Sequence, residues 1–429
     1  MMRRITTLFR APLLFSLLVC ALFLSGCGGM RYRADYNSFN AAYADSSNRQ
    51  MLLNLARLDQ HDPTYFLQFG QISVQYQLSS SLNGVVSNNI PGQATSHIPV
   101  VTEMGTIAAG ASTTPSFTFI PVADDKVAQE LLLPVPPDVL YTLFQQGAPV
   151  DQLLRLMVER FEIQLPGEDK ITTFSNTPGH CSPRSYATFL KICAIARELQ
   201  LDGHLKLRAT EQFVPLANGW TSKEQPAAKD LLDAHDKGYA YQKQSDGTWQ
   251  LGKNELVPSF VLDGEADATI SRLKKMPVYS EGISLENVRA MLSSGNGFSV
   301  QGQLVADQAN AGSHLVLRSF LNILAAAAQE QTNFDVAVRH SNMVNHIPES
   351  ELRTILQLKW DGYKGNLLAP LIALSYQGQT YQVTDPDTGK VDEAASWNRD
   401  VFRLLAELGT QVSIDISKFP LPTTLQVLQ

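Results

Sequence analysis

Residues 71–86 have the sequence QISVQYQLSSSLNGVV, in which apolar and uncharged polar residues alternate. The apolar positions are Ile72, Val74, Tyr76, Leu78, Leu82 and Val86. A period of two predicts a long β-strand with one apolar and one polar face. Asn88-Asn89 and Pro91-Gly92 then favour a turn, after which residues 98–109 predict a returning strand and residues 116–122 a third, short one. We call residues 71–116 the arm.

The arm lies in a region that is almost free of charge. Residues 65–123 contain one formal charge, Glu103, where the chain's 17% charged content would give about ten. Exposed strand edges usually carry Lys or Glu, which prevent unwanted pairing. An isolated two-stranded hairpin is marginal in water. We therefore expect the arm to dock on its own domain or to be completed by another chain, and we favour the second, with the six apolar positions as the interaction surface.

The N-terminus predicts the compartment. Arg3, Arg4 and Arg10 precede a mainly apolar run over residues 11–24, which is typical of a signal peptide and too short for a membrane span of about 20 residues. The run ends in Leu24-Ser25-Gly26-Cys27, which resembles the bacterial lipobox. We expect cleavage before Cys27 and lipidation of its thiol, which would anchor the protein in the lipid bilayer. Gly28 in place of Asp favours the outer membrane, facing the periplasm.

The charge of the mature chain excludes some partners. Removal of residues 1–26 takes away three arginines and no acid, so the formal net charge changes from −7 to −10. An acidic chain without a basic cluster is a poor nucleic-acid ligand. We expect no nucleic-acid partner, and acyl chains rather than a basic patch to supply the membrane affinity.

The remaining patterns predict an α+β fold with an N-terminal helix, a long uncharged β-hairpin arm, a helical middle and a C-terminal mixed α+β region. Helices are expected over residues 36–60, 138–146, 150–161, 182–200, 313–329 and 396–408. Strands are expected over 204–210, 298–305 and 411–416, and hairpins over 238–253 and 367–384. The expected organisation is a signal peptide (1–26), an anchor and tether (27–35), a helix, arm and helices (36–165), a middle α+β region (166–300) and a C-terminal α+β region (301–429).

Several segments resemble one group of bacterial envelope lipoproteins for which no activity is established. They are NRQMLLNLARL (48–58), DPTYFLQFGQISVQYQLS (62–79), residues 115–161 with PSFTFIPV and LLLPVPP, VLRSFLNILAAAA (316–328) and SWNRDVFRLLAEL (396–408). The resemblance is weaker between about residues 165 and 313. It supports the order of elements and implies no catalytic residue.

The motifs that could carry chemistry are incomplete. Ser271-Arg-Leu-Lys274 matches the Ser-x-x-Lys of penicillin-binding enzymes, and Ser294-Gly-Asn296 their Ser-x-Asn, but the Lys-Thr-Gly strand is missing. The segment from Asp385 to Asp392 has its glycine one position early for a calcium loop and Ser396 at position twelve, so a loop with aspartate-to-backbone bonds is favoured. His340 and His346 lack the spacing of a helical zinc pair. We predict no catalytic residue, cofactor or metal.

Two cysteines would remain as thiols in the mature chain, Cys181 and Cys193. A helix beginning at Ser182-Pro183 separates them by more than the roughly 7 Å that a disulfide tolerates between Cα atoms, so free thiols are favoured over a bridge. Three functions remain open: a non-enzymatic scaffold or binding lipoprotein, which we favour; a periplasmic hydrolase of cell wall or polysaccharide; and an oligomeric pore or secretion-associated lipoprotein that uses the arm.

Overall fold

The computed structural model describes residues 36–84, 105–121, 131–164, 170–179, 181–216, 221–263, 266–279, 284–285, 287–289, 298–301, 313–389 and 393–412. The protein divides into two compact units. One, the body, is drawn from Met1–Thr64 and Asp125–Ser413, and the other, the hairpin unit, includes Tyr65–Asp124. The fold is α+β, as the sequence predicted.

The body begins, among the described residues, with helix α1 (36–59). Its end follows from local chemistry. His61 adopts a left-handed backbone with φ of 61°, and the amide of Asp62 donates to the carbonyl of Arg57 over 2.8 Å. This geometry ends a helix by satisfying its last carbonyls, and Pro63 prevents continuation.

The hairpin unit contains strands β1 (Leu67–Gly84) and β2 (Gly105–Pro121), which pair antiparallel from Leu67 opposite Pro121 to Gly84 opposite Gly105. The prediction of a third strand over residues 116–122 is wrong, because its described part, through Pro121, continues the returning strand without a break. The predicted turn over 87–97 lies outside the described residues.

Helix α2 (Pro137–Gln145) and helix α3 (Val150–Met157) follow in the body. The predicted helix over residues 150–161 is correct up to Met157 and wrong beyond it. The backbone becomes extended at Val158 and forms β3 (Val158–Gln164). Pairing of β3 with a strand on each side outweighs the helical pattern, and it buries Phe161 and Ile163 at alternate positions.

The middle of the chain alternates strands and helices. In order these are β4 (Ile171–Ser175), α4 (Pro183–Leu201), β5 (Leu205–Pro215), β6 (Thr221–Ser222), α5 (Ala228–Asp236), β7 (Ala240–Lys243), β8 (Trp249–Leu262), α6 (Asp267–Leu273) and β9 (Phe298–Gln301). Helix α4 begins as predicted: the Ser182 side chain accepts a hydrogen bond from the amide of Ser185, and Pro183 occupies the first turn.

The predicted helix over residues 313–329 begins seven residues too early. His314–Leu317 form β10, a fully buried strand, and helix α7 (Phe320–Phe334) starts after Ser319, whose hydroxyl accepts from the amide of Asn322. A short continuous apolar run has the same pattern in a buried strand and in a buried helix, which explains the error. Helix α7 continues into a π-helical segment, Asp335–His340.

The C-terminal part contains hairpin strands β11 (Ile372–Tyr376) and β12 (Gln379–Val383) and helix α8 (Trp397–Val412). Gln377 and Gly378 have φ of 48° and 81°, as a tight two-residue hairpin turn requires. The predicted strand over residues 411–416 is wrong at Gln411 and Val412, which belong to α8, and the rest of it lies outside the described residues.

One mixed sheet organises the body, with strand order β4-β3-β10-β9-β8-β5 and with β6 and β7 also paired to β8. The β9–β10 pair is parallel and the others are antiparallel. Helices pack on this sheet through aromatic contacts: Phe161 of β3 stacks on Phe189 of α4 at 4.6 Å, and Phe144 of α2 meets Phe260 of β8 edge-on at 5.7 Å.

Candidate functional site

The hairpin unit places the predicted interaction residues at alternate positions of one strand. Ile72, Val74, Tyr76, Leu78 and Leu82 lie in β1, and their partner positions in β2 are Phe117, Pro115, Thr113, Ala111 and Ile107. The intervening positions Ser73, Gln75 and Gln77 lie opposite Ser116, Thr114 and Ser112. Because successive strand positions alternate between faces, this register groups mainly apolar positions on one face and uncharged polar positions on the other. Val86 and Cys27 lie outside the described residues.

Neither strand of the hairpin has a second neighbour within the described residues, since β1 and β2 form a two-stranded sheet by themselves. Strand β1 has 18 residues, which corresponds to roughly 60 Å of extended chain. Unpaired backbone amides and carbonyls along two long edges are a template for pairing with another strand.

The chain immediately before the hairpin unit is fixed to the body by a cluster of polar side chains. The Asp59 carboxylate accepts from Lys359 Nζ at 2.7 Å and from the Tyr381 hydroxyl at 2.7 Å. Asp62 accepts from the Tyr376 hydroxyl at 2.7 Å. These bonds join the end of α1 to Lys359 and to the β11–β12 hairpin. Asp59 and Asp62, which precede the hairpin unit in the sequence, are therefore fixed to the rest of the body.

A group of buried charges surrounds Arg155 of α3. Its guanidinium is fully buried and pairs with Glu330 at 2.9 Å and with Glu351 at 3.0 Å, and it donates to the carbonyl of Arg353 at 2.6 Å. The Tyr186 hydroxyl donates to Glu330 at 2.6 Å. We call Arg155, Tyr186, Glu330 and Glu351 the buried ionic cluster. It joins α3, α4, α7 and the segment after α7, and its closure to solvent fits a structural role.

Burial sets the protonation behaviour of this cluster. It raises the pKa of Glu351 to about 7, even though Arg155 lies 3.0 Å away, and the nearby charge of Asp151 acts in the same direction as burial. Burial likewise raises the pKa of the Tyr186 hydroxyl well above its ordinary value, with the Glu330 charge adding to the effect.

The raised pKa of Glu351 predicts a pH-dependent stability. The folded state holds a proton on Glu351 that the unfolded state loses near its ordinary pKa of 4.5, so stability falls as pH rises from about 4.5 to 7 and levels off above. We expect Glu351→Gln to remove up to about 3 kcal/mol of this fall. Urea unfolding at pH 4.5, 6 and 8, on the variant and the wild type, checks the difference. If the free energy of unfolding changes with pH equally in the two proteins, the raised pKa of Glu351 is contradicted.

A small polar recess lies beside the buried ionic cluster. It has a volume of about 40 Å³ and is lined by Asn176, Thr177, Pro178, Arg318, Ala326, Gln329, Glu330 and Asn333. Arg318 donates there to the backbone carbonyls of Arg155, Leu156 and Asn176. The recess can hold a few water molecules, whereas small-molecule sites usually have about 300–1,000 Å³.

The structure places the incomplete motifs apart from one another. Ser271 and Lys274 are both exposed near the end of α6, and Ser294 and Asn296 lie outside the described residues. Asp385 is buried, and its carboxylate accepts from the amide of Asn398 at 2.7 Å, in the first turn of α8. Asp387 accepts from the amide of Gly389 at 3.2 Å. The prediction that these two aspartates bond the backbone is confirmed.

The histidines and cysteines considered above do not form a common site in the described part of the chain. His340 is exposed and His346 half-buried, and the described part of the chain contains no cluster of three side chains that could hold a metal ion. Cys181 and Cys193 are both free thiols, and burial raises the pKa of each. Among the described residues, no helix has the length and apolar character to cross a membrane.

Comparisons with protein-family models, with curated proteins and with solved structures found no match to this chain.

Proposed function

We propose that the protein is a lipid-anchored, non-enzymatic scaffold of the bacterial envelope that binds through the arm to other copies of itself. The observation that carries this proposal is the hairpin unit, a long two-stranded sheet without charge in either strand. Its register supports an amphipathic surface that is apolar at Ile72, Val74 and Leu78.

Energetics favours completion of the hairpin by another chain. Two strands with an apolar face form a marginal structure in water, and each large apolar side chain left exposed forgoes about 1.5–3 kcal/mol. Natural edge strands avoid association with charged residues, and neither β1 nor β2 contains one. Copies held at one membrane surface by acyl chains would meet at a raised effective concentration.

A second candidate function uses the same unit. Strands of 18 and 17 residues exceed the roughly 9–11 residues that a strand needs to cross a bilayer, so an oligomeric pore or secretion-associated lipoprotein is also compatible with the arm. Release of a trapped dye from vesicles by the reconstituted protein would favour this candidate over a scaffold.

The anchor itself is testable at Cys27. We expect the wild type to incorporate a palmitate analogue and to fractionate with the membranes, and Cys27→Ala to remain unlabelled and to be uncleaved or soluble. The physical reason is that the thiol is the atom that carries the diacylglycerol. Metabolic labelling followed by gel analysis measures both, with Cys181→Ala as a matched control that should label normally. An unlabelled wild-type protein of mature size would contradict the anchor.

Crosslinking of the protein in its own membranes, followed by purification and mass spectrometry, tests the scaffold as a whole. Recovery of multiples of this chain supports the proposal. Recovery of other envelope proteins in place of a second copy would replace the self-association part, and recovery of monomers alone would contradict the scaffold.

A further inference from the structure

Helix α1 has two halves with different surroundings. Residues 36–50 are mostly exposed, whereas Leu52, Leu55 and Ala56 are fully buried in the body. Two of the largest exposed apolar side chains belong to the first half: Tyr36 is 59% and Tyr43 46% exposed. Phe39, which lies between them, is half-buried, so this surface is partly open to solvent.

The aromatic residues of this half share one face. Tyr36, Phe39 and Tyr43 are spaced i, i+3 and i+7, which aligns side chains along a helix. We call these three residues the aromatic stripe. At about 100° per residue, Leu52, Leu55 and Ala56 project roughly 180° away from it, so the stripe does not continue the face that packs on the body.

The charges of the same half lie on the other side. Asp45 and Arg49 form an exposed ion pair at 2.9 Å, and they project roughly 150° and 110° from the middle of the stripe. The first half of α1 is thus amphipathic, with an aromatic face and an opposite charged face.

The sequence before α1 indicates what this face meets. Eight residues separate Cys27 from Tyr36, and a chain of that length spans at most about 29 Å. A lipid on Cys27 would hold the start of α1 within that distance of the acyl chains. The eight residues include Arg31, Arg33 and Asp35, a net charge of +1, which favours an anionic lipid surface weakly.

We propose that the aromatic stripe docks on the surface of the membrane that carries the Cys27 lipid, with Tyr36, Phe39 and Tyr43 at the level of the lipid headgroups. Tyrosine suits this place because its ring is apolar and its hydroxyl can stay hydrated. Docking would fix the direction in which the body leaves the bilayer, which the lipid and an extended tether cannot do. This inference rests on the proposed lipid anchor.

The test uses the full lipidated protein in vesicles of phosphatidylethanolamine and phosphatidylglycerol with bromine on the acyl chains near the headgroups. Tyr43→Trp reports the stripe. Ala41→Trp is the matched control, because Ala41 is also exposed and projects about 160° away from Tyr43. The fluorescence of the four native tryptophans is measured on the protein without the added tryptophan and subtracted. We expect quenching of the Tyr43→Trp signal to exceed that of Ala41→Trp by about twofold or more.

Equal quenching at the two positions would overturn the docking proposal. So would a Tyr43→Trp signal that is insensitive to bromolipid but shielded from a water-soluble quencher, because that result assigns the face to a protein contact. Palmitate labelling and vesicle flotation of the same preparations separate the two proposals. Labelled, floating protein with equal quenching leaves the anchor intact and refutes docking alone, whereas unlabelled protein refutes both.

Discussion

Replacement of Arg155 by alanine at pH 8, where Glu351 is ionised, is expected to lower the free energy of unfolding of the body by about 3–5 kcal/mol, because it leaves the carboxylates of Glu330 and Glu351 without their buried partner. The arginine side chain is fully buried, so water cannot replace the lost hydrogen bonds. Urea unfolding followed by tryptophan fluorescence measures the change, and Trp397, whose ring centroid lies 5.7 Å from the Arg155 guanidinium carbon, is a nearby reporter.

Arg272→Ala is the matched control for this loss of charge. Arg272 also pairs with two carboxylates, those of Glu198 and Asp202, but its side chain is 49% exposed. We expect Arg272→Ala to lower the free energy of unfolding by less than about 1 kcal/mol. If Arg155→Ala proves too unstable to purify, the triple variant with Glu330→Gln and Glu351→Gln should recover folded protein, because the uncompensated charges are gone. Similar small losses for Arg155→Ala and Arg272→Ala would show that the buried ionic cluster does not stabilise the body.

The double substitution Val74→Lys and Leu78→Lys is expected to abolish assembly while the body stays folded. The two positions lie four residues apart in β1 and therefore on one face, the apolar one, where association would bury each ammonium group. The four tryptophans all lie outside the hairpin unit, so their fluorescence reports the body separately from assembly. Crosslinking in membranes measures assembly, and thermal unfolding followed by tryptophan fluorescence measures the body.

Ser73→Lys with Gln77→Lys is the control for added charge, because it places two lysines with the same spacing on the polar face of β1. We expect this variant to assemble like the wild type. Loss of assembly in both variants would indicate that charge rather than the apolar face is responsible. Unfolding of the body in the Val74 and Leu78 variant would mean that the arm is part of the core.

The elements that the sequence predicted well are those whose signals are local. The alternation in residues 72–82, the helix start at Ser182-Pro183 and the hairpin over residues 367–384 each depend on neighbouring residues, and the structure has a strand, a helix start and a hairpin there. The errors at Val158 and at His314–Leu317 share a cause: these strands exist because β3 and β10 pair with each other across more than 140 residues of sequence. Such pairing is decided by the partner and leaves no periodic signal of its own.

The buried ionic cluster was missed for a related reason. Arg155 stands between Leu154 and Leu156 in a helix with every residue buried, and a charge between apolar residues of such a helix is a signal that could have drawn attention. The sequence does not indicate its partners, however, because Glu330 and Glu351 lie 175 and 196 residues further along the chain. The aromatic stripe was missed because Phe39 and Tyr43 lie in the same predicted helix as Leu52 and Leu55. The helical spacing did not separate the exposed aromatic face from the opposite face, which is buried further along the helix.

The most direct test of the central claim is the mass of the lipidated wild-type protein in a mild detergent, measured by light scattering beside the Val74→Lys and Leu78→Lys variant. If the arm joins copies of this chain, the wild type will have the mass of two or more mature chains, and the variant the mass of one. A wild type that is monomeric at every protein concentration, with a variant of the same mass, would contradict the claim.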